Sequence, residues 1–104
     1  MVIAVKKATI NDTTLLSRLA TETFYETYSW YNTPANMQEY TKTHFSPGRT
    51  AGELDENGTY FFLAYADEQP IGYAKLRNTE NPPGLAGKKH IEIERIYVYR
   101  KYQR

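Results

Sequence analysis

Two carboxylates near the carboxyl end of the sequence are spaced so that they could act on the same proton. Glu92 and Glu94 lie two residues apart in the β-branched and aromatic run 91–99, and alternate residues of a strand share one face. Carboxylates act as general bases in many enzymes. A surface role is the alternative, with both side chains solvated or paired with Arg95 or Lys89.

A second group of residues has the chemistry to bind a cation. Acidic and aromatic side chains are concentrated between residues 22 and 31, and the candidates are Glu22, Tyr25, Glu26, Tyr28, Trp30 and Tyr31. Carboxylates and the faces of aromatic rings both attract ammonium groups. The same aromatic residues, at helical spacing, are equally suited to fill a core beneath a sheet.

Composition narrows the possible functions. The chain has 104 residues, 24% of them charged, and a formal net charge of +1, which is typical of one globular domain spanning residues 1–104. The near-neutral charge argues against nucleic acid or an anionic membrane as a partner. The absence of cysteine and the presence of only two histidines exclude disulfides and thiol nucleophiles and leave little basis for a zinc cluster. The short apolar stretch at residues 1–5 is not a signal peptide, so a cytoplasmic protein is predicted.

The elements that must position these residues can be read from periodicity and turn signals. A strand at residues 2–7 is followed by a helix that Asn11 and Asp12 can cap and that continues to about Tyr28. Thr33 and Pro34 begin a second helix. Residues 46 and 47 open a further short helix.

The second half of the sequence predicts three strands. Residues 59–66 are apolar on both faces, as in an interior strand covered on both sides. Residues 67–70 form a hairpin turn to a strand at 71–77, in which Gly72 indicates a bulge or a close backbone approach. A loop at 78–89 leads to the last strand, 91–99. The predicted order is β-α-α-β-β-β in an α+β domain.

Three segments of this pattern resemble the GNAT family of N-acetyltransferases. They are residues 23–28, 67–76 and 94–98. After them, Gln103 and Arg104 fill the first two positions of the family's Gln/Arg-x-x-Gly-x-Gly/Ala cofactor loop. The resemblance implies a partial GNAT fold with a mostly antiparallel sheet that lacks the carboxy-terminal strands and helices. The domain is expected to be incomplete, with the chain truncated inside the cofactor motif.

The resemblance also implies a cofactor, acetyl-CoA. The backbones of Ile96 and Val98 would bind its pantetheine arm, in the way that a peptide adds to a sheet edge. Gln103 and Arg104 would begin the cradle of backbone N–H groups for its phosphates. The positions of the motif's two glycines fall after residue 104, the last residue of the sequence. Weak or no cofactor binding is therefore expected of residues 1–104, and with it an inactive or impaired N-acetyltransferase.

The implied reaction is transfer of an acetyl group to an amine, which must first lose a proton. Counting back from Gln103, Glu92 occupies the place of a glutamate base on the fourth strand of some family members, and Glu94 shares its face. The acceptor, a small amine such as a polyamine or a peptide amine, would lie over the first two helices. Its predicted binding residues are Tyr25, Glu26, Tyr28, Trp30 and Tyr31.

Two other interpretations remain open. The chain could be a non-enzymatic half-domain that forms a homodimer, through strand 91–99 or an uncovered sheet face, or that complements a separately encoded second half. An apolar strand edge with no partner favours such pairing. The chain could instead be an unrelated α+β ligand-binding domain, whose sheet would then be closed within residues 1–104 and covered on both faces.

Overall fold

The computed structural model describes residues 1–80 and 89–103. Four strands and three α-helices account for most of these residues. The strands are β1 (Ile3–Lys7), β2 (Thr59–Ala66), β3 (Gln69–Glu80) and β4 (Lys89–Val98), and the helices are α1 (Thr13–Tyr28), α2 (Pro34–His44) and α3 (Pro47–Leu54). The predicted element order is confirmed, with α3 as the further short helix.

The four strands form one sheet in the order β1-β2-β3-β4, with every neighbouring pair antiparallel. The ends of the predicted loop 78–89 belong to strands β3 and β4, and its central residues lie outside the described part of the chain. The turn between β2 and β3 is confirmed. Asp67 and Glu68 adopt φ values of 48° and 70°, which suits a tight two-residue hairpin turn.

Side-chain caps and prolines fix the starts of α2 and α3. The hydroxyl of Thr33 accepts a hydrogen bond from the backbone N–H of Asn36, and that of Ser46 accepts one from Arg49. Pro34 and Pro47 follow these two caps directly, where a missing N–H leaves no bond unmade. The predicted cap of the first helix by Asn11 and Asp12 is wrong: Thr9 caps a single 3-10 turn at residues 10–12, and Asp12 makes no side-chain capping bond at the start of α1.

The core lies on one face of the sheet, beneath the three helices. Its buried members are Ala8, Leu16, Leu19, Ala20, Phe45, Phe61, Leu63 and Tyr73. The prediction that β2 is covered on both faces is wrong. Alternate residues 59, 61 and 63 are buried whereas residues 60, 62 and 64 are only half-buried, because the described helices pack against one face alone.

The opposite face of the sheet, which we call the open face, carries exposed apolar side chains. Val5, Ile91, Ile93 and Ile96 are exposed by 66%, 67%, 62% and 66%, respectively. Within residues 1–80 and 89–103, no strand pairs with the outer edge of β4. An unrelated domain with a closed sheet and two covered faces is therefore not what the structure shows.

Gly72 allows β3 and β4 to approach closely, as its position in the strand predicts. A Cβ atom there would lie 2.4 Å from the carbonyl oxygen of Tyr97 and 2.9 Å from the Cα of Val98. The register of β2 against β3 also shifts beside Gly72, at Ile71. Any larger residue at position 72 would push β4 away from the sheet.

Candidate functional site

A β-bulge in β4 directs Glu94 and Arg95 to the helix-covered side of the sheet. Lys75 pairs with Arg95 and the next residue of β3 pairs with Ile93, so Glu94 is an extra residue in the ladder. The carboxylate of Glu94 lies 2.8 Å from the Nζ of Lys75. Nη1 of Arg95 donates a 3.2 Å hydrogen bond to the hydroxyl of Tyr73. Two consecutive residues of β4 thus face the helices.

These residues line a cleft between the helices and strands β3 and β4, with a volume of about 560 Å³. Its wall is mainly aromatic along α1 and α2 and mainly charged along α3, β3 and β4. The lining residues are Phe24, Tyr28, Asn32, Tyr40, His44, Phe45, Arg49, Glu53, Lys75, Glu94, Arg95 and Tyr97. The cleft can therefore hold a solute that has both apolar and charged parts.

Lys75 is the buried charge at the centre of the site. Its side chain is 4% exposed and lies 2.8 Å from Glu94 and 3.4 Å from Glu53. The hydrogen bond from Lys75 lowers the pKa of Glu94 below its ordinary value of 4.5, with smaller contributions from the charges of Lys75, Arg77 and Arg95. Glu94 is therefore an ionised carboxylate at neutral pH.

Arg95 links this charge pair to the core. Its guanidinium lies 5.1 Å from the ring centroid of Phe45 and 5.8 Å from that of Tyr73, within the range of cation–π attraction. Its Nη2 donates to Glu53 at 3.0 Å. Burial raises the pKa of Tyr73 to about 12, so this phenol stays neutral while it accepts the bond from Arg95.

The backbone groups predicted to bind the cofactor lie on the outer edge of β4. The N–H of Tyr99 donates to the carbonyl of Ile71 on β3 at 2.9 Å. Backbone groups alternate in direction along an antiparallel strand, so those of Ile96 and Val98 point away from β3. The carbonyl of Val98 accepts a 2.7 Å hydrogen bond from Nε2 of Gln103.

The other predicted site residues are distributed unevenly. Glu92 is exposed, pairs opposite Arg77 in the ladder and is not part of the cleft lining. Tyr28 lines the cleft, whereas Tyr25, Glu26, Trp30 and Tyr31 do not. Arg104 lies outside the described residues.

The acidic residues of α1 contact the chain that follows β4. Glu26 accepts a 2.7 Å hydrogen bond from the backbone N–H of Arg100, and Glu22 accepts one from the hydroxyl of Tyr99. Both carboxylates therefore tie α1 to the chain that follows β4. Trp30 is 77% exposed and donates to the carbonyl of Thr27.

Several lining residues were not anticipated from the sequence, notably Tyr40, Glu53, Lys75 and Tyr97. The position of Lys75 could have been recognised from the sequence, because it is the one charged residue in the otherwise apolar run 71–76. Among residues 1–80 and 89–103, no group of three His, Asp or Glu side chains converges to hold a metal ion. None of the helices in that part of the chain is both long and apolar enough to cross a bilayer.

Comparison with known proteins identifies relatives among the acetyltransferases. The sequence profile of the Acetyltransferase (GNAT) family matches residues 16–104. An uncharacterised N-acetyltransferase encoded 3′ of pepI in Lactobacillus delbrueckii subsp. lactis is 27% identical over 85 residues, which are 82% of this chain and 49% of that protein.

Solved structures show the same fold. The PaiA N-acetyltransferase of Thermoplasma acidophilum, in complex with coenzyme A, superposes with a TM-score of 0.79 at 22% identity over 99% of this chain. An aminoglycoside acetyltransferase from an uncultured soil metagenomic sample gives a TM-score of 0.73 at 17% identity over 100% of this chain. The chain spans 62% of the length of each, and about half that of the Lactobacillus relative. The family profile covers most of the sequence, and the chain belongs to the GNAT family of acetyltransferases.

Proposed function

We propose that this chain provides the amine-binding cleft and the cofactor-binding strand edge of an acetyl-CoA-dependent N-acetyltransferase. The observation that carries the proposal is the arrangement of β4. Its bulge turns Glu94 into the cleft, and two to four residues later the backbones of Ile96 and Val98 point to the open edge. An amine in the cleft would therefore lie close to a donor bound along that edge.

The outer edge of β4 fits the amide-rich arm of acetyl-CoA, which can pair with it as an added strand. Ile96 and Val98 would hold this arm through their backbones, and the bond from Gln103 to the Val98 carbonyl would have to open or be shared. When bound, the cofactor supplies the acetyl group as a thioester. Glycines that let phosphates approach backbone N–H groups are not found after Gln103 within residues 1–104.

Glu94 is the residue that we propose to act on the proton of the amine. As an ionised carboxylate it attracts and orients an ammonium group. Because its pKa is lowered, Glu94 does not retain the proton at neutral pH, and a general base works best with a pKa near the operating pH. Glu94 would therefore pass the proton to water in the cleft, leaving a neutral nitrogen able to attack. Glu92 remains the alternative base, although it lies outside the cleft lining.

The acceptor that we propose is a small amine or a peptide amine. The rings of Phe24 and Tyr40 stack 4.4 Å apart, and Tyr28 lies 4.7 Å from Phe24. These rings are part of the cleft wall and suit the apolar part of such a molecule. Of the acceptor residues predicted from the sequence, Tyr28 is the one that supports this role directly.

The test is a titration of acetyl-CoA into the 104-residue protein, followed by NMR of the backbone amides. We expect the largest shifts at Ile96 and Val98 and little change along the interior strand β2. Binding should be weak, since residues 1–104 do not contain the phosphate-binding glycines. Low-micromolar affinity would contradict that weakness, and shifts that avoid β4 would contradict the proposed edge.

A comparison of turnover in two variants tests which of the two carboxylates, Glu92 or Glu94, acts as the base. In any preparation that shows acetyl transfer, Glu94→Gln should lower turnover at neutral pH by about 10²–10⁴-fold with little effect on cofactor affinity. Raising the pH should restore part of the rate, because more acceptor arrives deprotonated. Glu92→Gln is the matched control. A loss with Glu92→Gln alone would reassign the base.

The open face favours a second candidate function, a half-domain that binds a second copy of itself. Val5, Ile91, Ile93 and Ile96 present exposed apolar surface beside an unpaired strand edge, a combination that promotes association. Light scattering should then report a dimer. Ile96→Lys should convert it to monomer or aggregate, whereas Ile10→Lys, at an exposed isoleucine outside the sheet, should not. A strictly monomeric chain would remove this candidate. A partner that supplies a second half would instead bind the monomer.

A further inference from the structure

The charged floor of the cleft carries more cations than carboxylates. One connected set of ion pairs comprises Arg49, Glu53, Glu56, Lys75, Arg77, Glu94 and Arg95. Four of these side chains are cationic and three are anionic, so the described network has one positive charge in excess. Among the lining residues themselves, three cations (Arg49, Lys75 and Arg95) stand against two carboxylates (Glu53 and Glu94), and a net positive charge in a partly enclosed site favours solutes that carry an anionic group. The cleft is therefore poorly suited to an acceptor that carries only positive charges.

Of the three cations that line the cleft, Arg49, Lys75 and Arg95, Arg49 is the one that a solute can reach most readily. Its side chain is 53% exposed, whereas those of Lys75 and Arg95 are 4% and 18% exposed. Arg49 uses its Nε to bond Glu53 at 3.1 Å, and the described residues offer no hydrogen bond to its two terminal nitrogens. A guanidinium with free terminal N–H groups binds a carboxylate through two parallel hydrogen bonds.

The same cleft also holds a carboxylate that a solute can reach. Glu94 is 36% exposed and lines the cleft together with Arg49. Its partner Lys75 is buried behind it and keeps it ionised. Arg49 and Glu94 thus offer one site for an anion and one site for a cation, and the rest of the wall is largely aromatic.

We propose that the acceptor is a zwitterionic amine, such as an amino acid with an apolar side chain, whose carboxylate binds Arg49 and whose ammonium group binds Glu94. This inference rests on the proposed function, because it takes the cleft to be the acceptor site. It narrows the acceptor class: polyamines and other polycations are disfavoured, and Arg49 becomes the residue that determines specificity.

The experiment uses the 104-residue protein without cofactor and matched small probes. Phenylalanine carries both charges, phenethylamine lacks the carboxylate, 3-phenylpropionate lacks the amine, and spermidine is a polycation. Each is titrated while the backbone amides of Glu94, Arg95 and Tyr97 are followed by NMR. We expect phenylalanine to bind about tenfold more tightly than phenethylamine, as one charge-assisted pair would give, and spermidine to bind most weakly.

Variants locate the source of that preference. Arg49→Gln should reduce the preference for phenylalanine over phenethylamine to less than about twofold, the scale of a lost ion pair. Arg18→Gln, which changes an exposed arginine of α1 outside the cleft lining, should retain it. An unchanged spectrum away from the cleft shows that each variant is folded.

Three results would overturn the proposal: equal or tighter binding of phenethylamine or spermidine, a preference that survives in Arg49→Gln, or no binding by any probe. Failure of the proposed acetyltransferase function would give a different result from failure of this inference about the acceptor. In that case acetyl-CoA would leave the Ile96 and Val98 amides unshifted, while the Arg49-dependent preference for the zwitterion would remain.

Discussion

The two faces of the sheet carry opposite chemistry on the same two strands. On the helix-covered face, β3 and β4 contribute Tyr73, Lys75, Glu94 and Arg95 to the core and the cleft. On the open face they contribute exposed Ile91, Ile93 and Ile96. Burial here does not follow polarity. Charges are tolerated inside because they are paired, and apolar residues outside mark a surface suited to contact.

Stability alone does not explain the buried charges. A buried ion pair usually contributes no more to folding than apolar residues of the same volume would. Lys75, with two carboxylate partners, is nevertheless almost fully buried. The cleft gives a reason, since Lys75 keeps Glu94 ionised and oriented. In the proposed function, the helix-covered face therefore serves both packing and acceptor binding, whereas the apolar residues of the open face are exposed in the described part of the chain.

The largest expected difference between the faces concerns apolar truncation. Leu63 is 1% exposed beneath the helices, and Leu63→Ala should lower the free energy of unfolding by about 3 kcal/mol through lost burial and a residual cavity. Ile93→Ala, on the open face, should lower it by less than about 0.5 kcal/mol. Urea denaturation of the two variants measures this. Comparable losses, with a midpoint that depends on protein concentration, would show that the open face is covered in solution.

The next prediction removes the buried cation. Lys75→Met leaves Glu53 and Glu94 without their shared partner, which costs about 3–5 kcal/mol when the remaining charges are fully buried. Because these carboxylates are 12% and 36% exposed, we expect about 2 kcal/mol. Thermal or urea unfolding gives the value, and Lys6→Met, at an exposed strand lysine, is the control.

A double variant checks the cause of that loss. Adding Glu94→Gln to Lys75→Met removes a carboxylate that has lost its nearest cation and keeps only Arg77 at 3.6 Å, so part of the stability should return. If the double variant is as unstable as the sum of the single variants, Lys75 and Glu94 are not coupled. The contrast between a charge-paired face and an apolar face would then lose its basis.

Much of the fold could be predicted from local signals. The apolar run 59–66 is β2 residue for residue, and the prolines at 34 and 47 mark the starts of α2 and α3. Hydrophobic pattern and turn chemistry act over a few residues and are visible in the sequence. Coverage of only one face of β2 was missed, because it depends on which helices pack against the sheet.

The site was harder to predict because it depends on register and on distant contacts. The bulge at Glu94 arises from the pairing of β4 with β3, which no local pattern specifies. Glu53 meets Arg95 across 42 residues of sequence. Helical phase was a usable signal: Phe24 and Tyr28 are four residues apart on the face toward the cleft, whereas Tyr25 lies outside its lining.

A smaller effect is expected at alkaline pH. Burial raises the pKa of Tyr73 to about 12, from an ordinary value of 10.0. The folded state therefore holds the phenolic proton after the unfolded state has released it, and stability falls as the pH rises from about 10 toward 12. Near pH 11 this loss should be about 1 kcal/mol. Unfolding measured against pH should show a shallower alkaline decline in Tyr73→Phe than in wild type.

Tyr99 provides the comparison for that measurement. Its pKa is also raised to about 12, by burial and by its hydrogen bond to Glu22, so it adds to the same decline. The stability of the double variant Tyr73→Phe/Tyr99→Phe should decline less steeply at alkaline pH than that of either single variant. An alkaline decline that is unchanged in all three would mean that neither phenol is protected in the folded state.

The smallest effect concerns acid and tests the link between Lys75 and Glu94 directly. The pKa of Glu94 lies below its ordinary value of 4.5, so its ionised form stabilises the fold above that pH, and the contribution is lost as the pH falls through the folded-state pKa. Since Glu94 is 36% exposed, solvent screening limits the effect to a few tenths, roughly, of a kcal/mol. Glu94→Gln should therefore make the loss of stability below about pH 4.5 slightly less steep.

The hydrogen bond from Lys75 is the main cause of the lowered pKa of Glu94. In a Lys75→Met background, the same substitution should therefore change the loss of stability in acid much less. If the difference between Glu and Gln at position 94 is as large without Lys75 as with it, the buried lysine does not control this carboxylate, and the charge pairing of the helix-covered face has another origin.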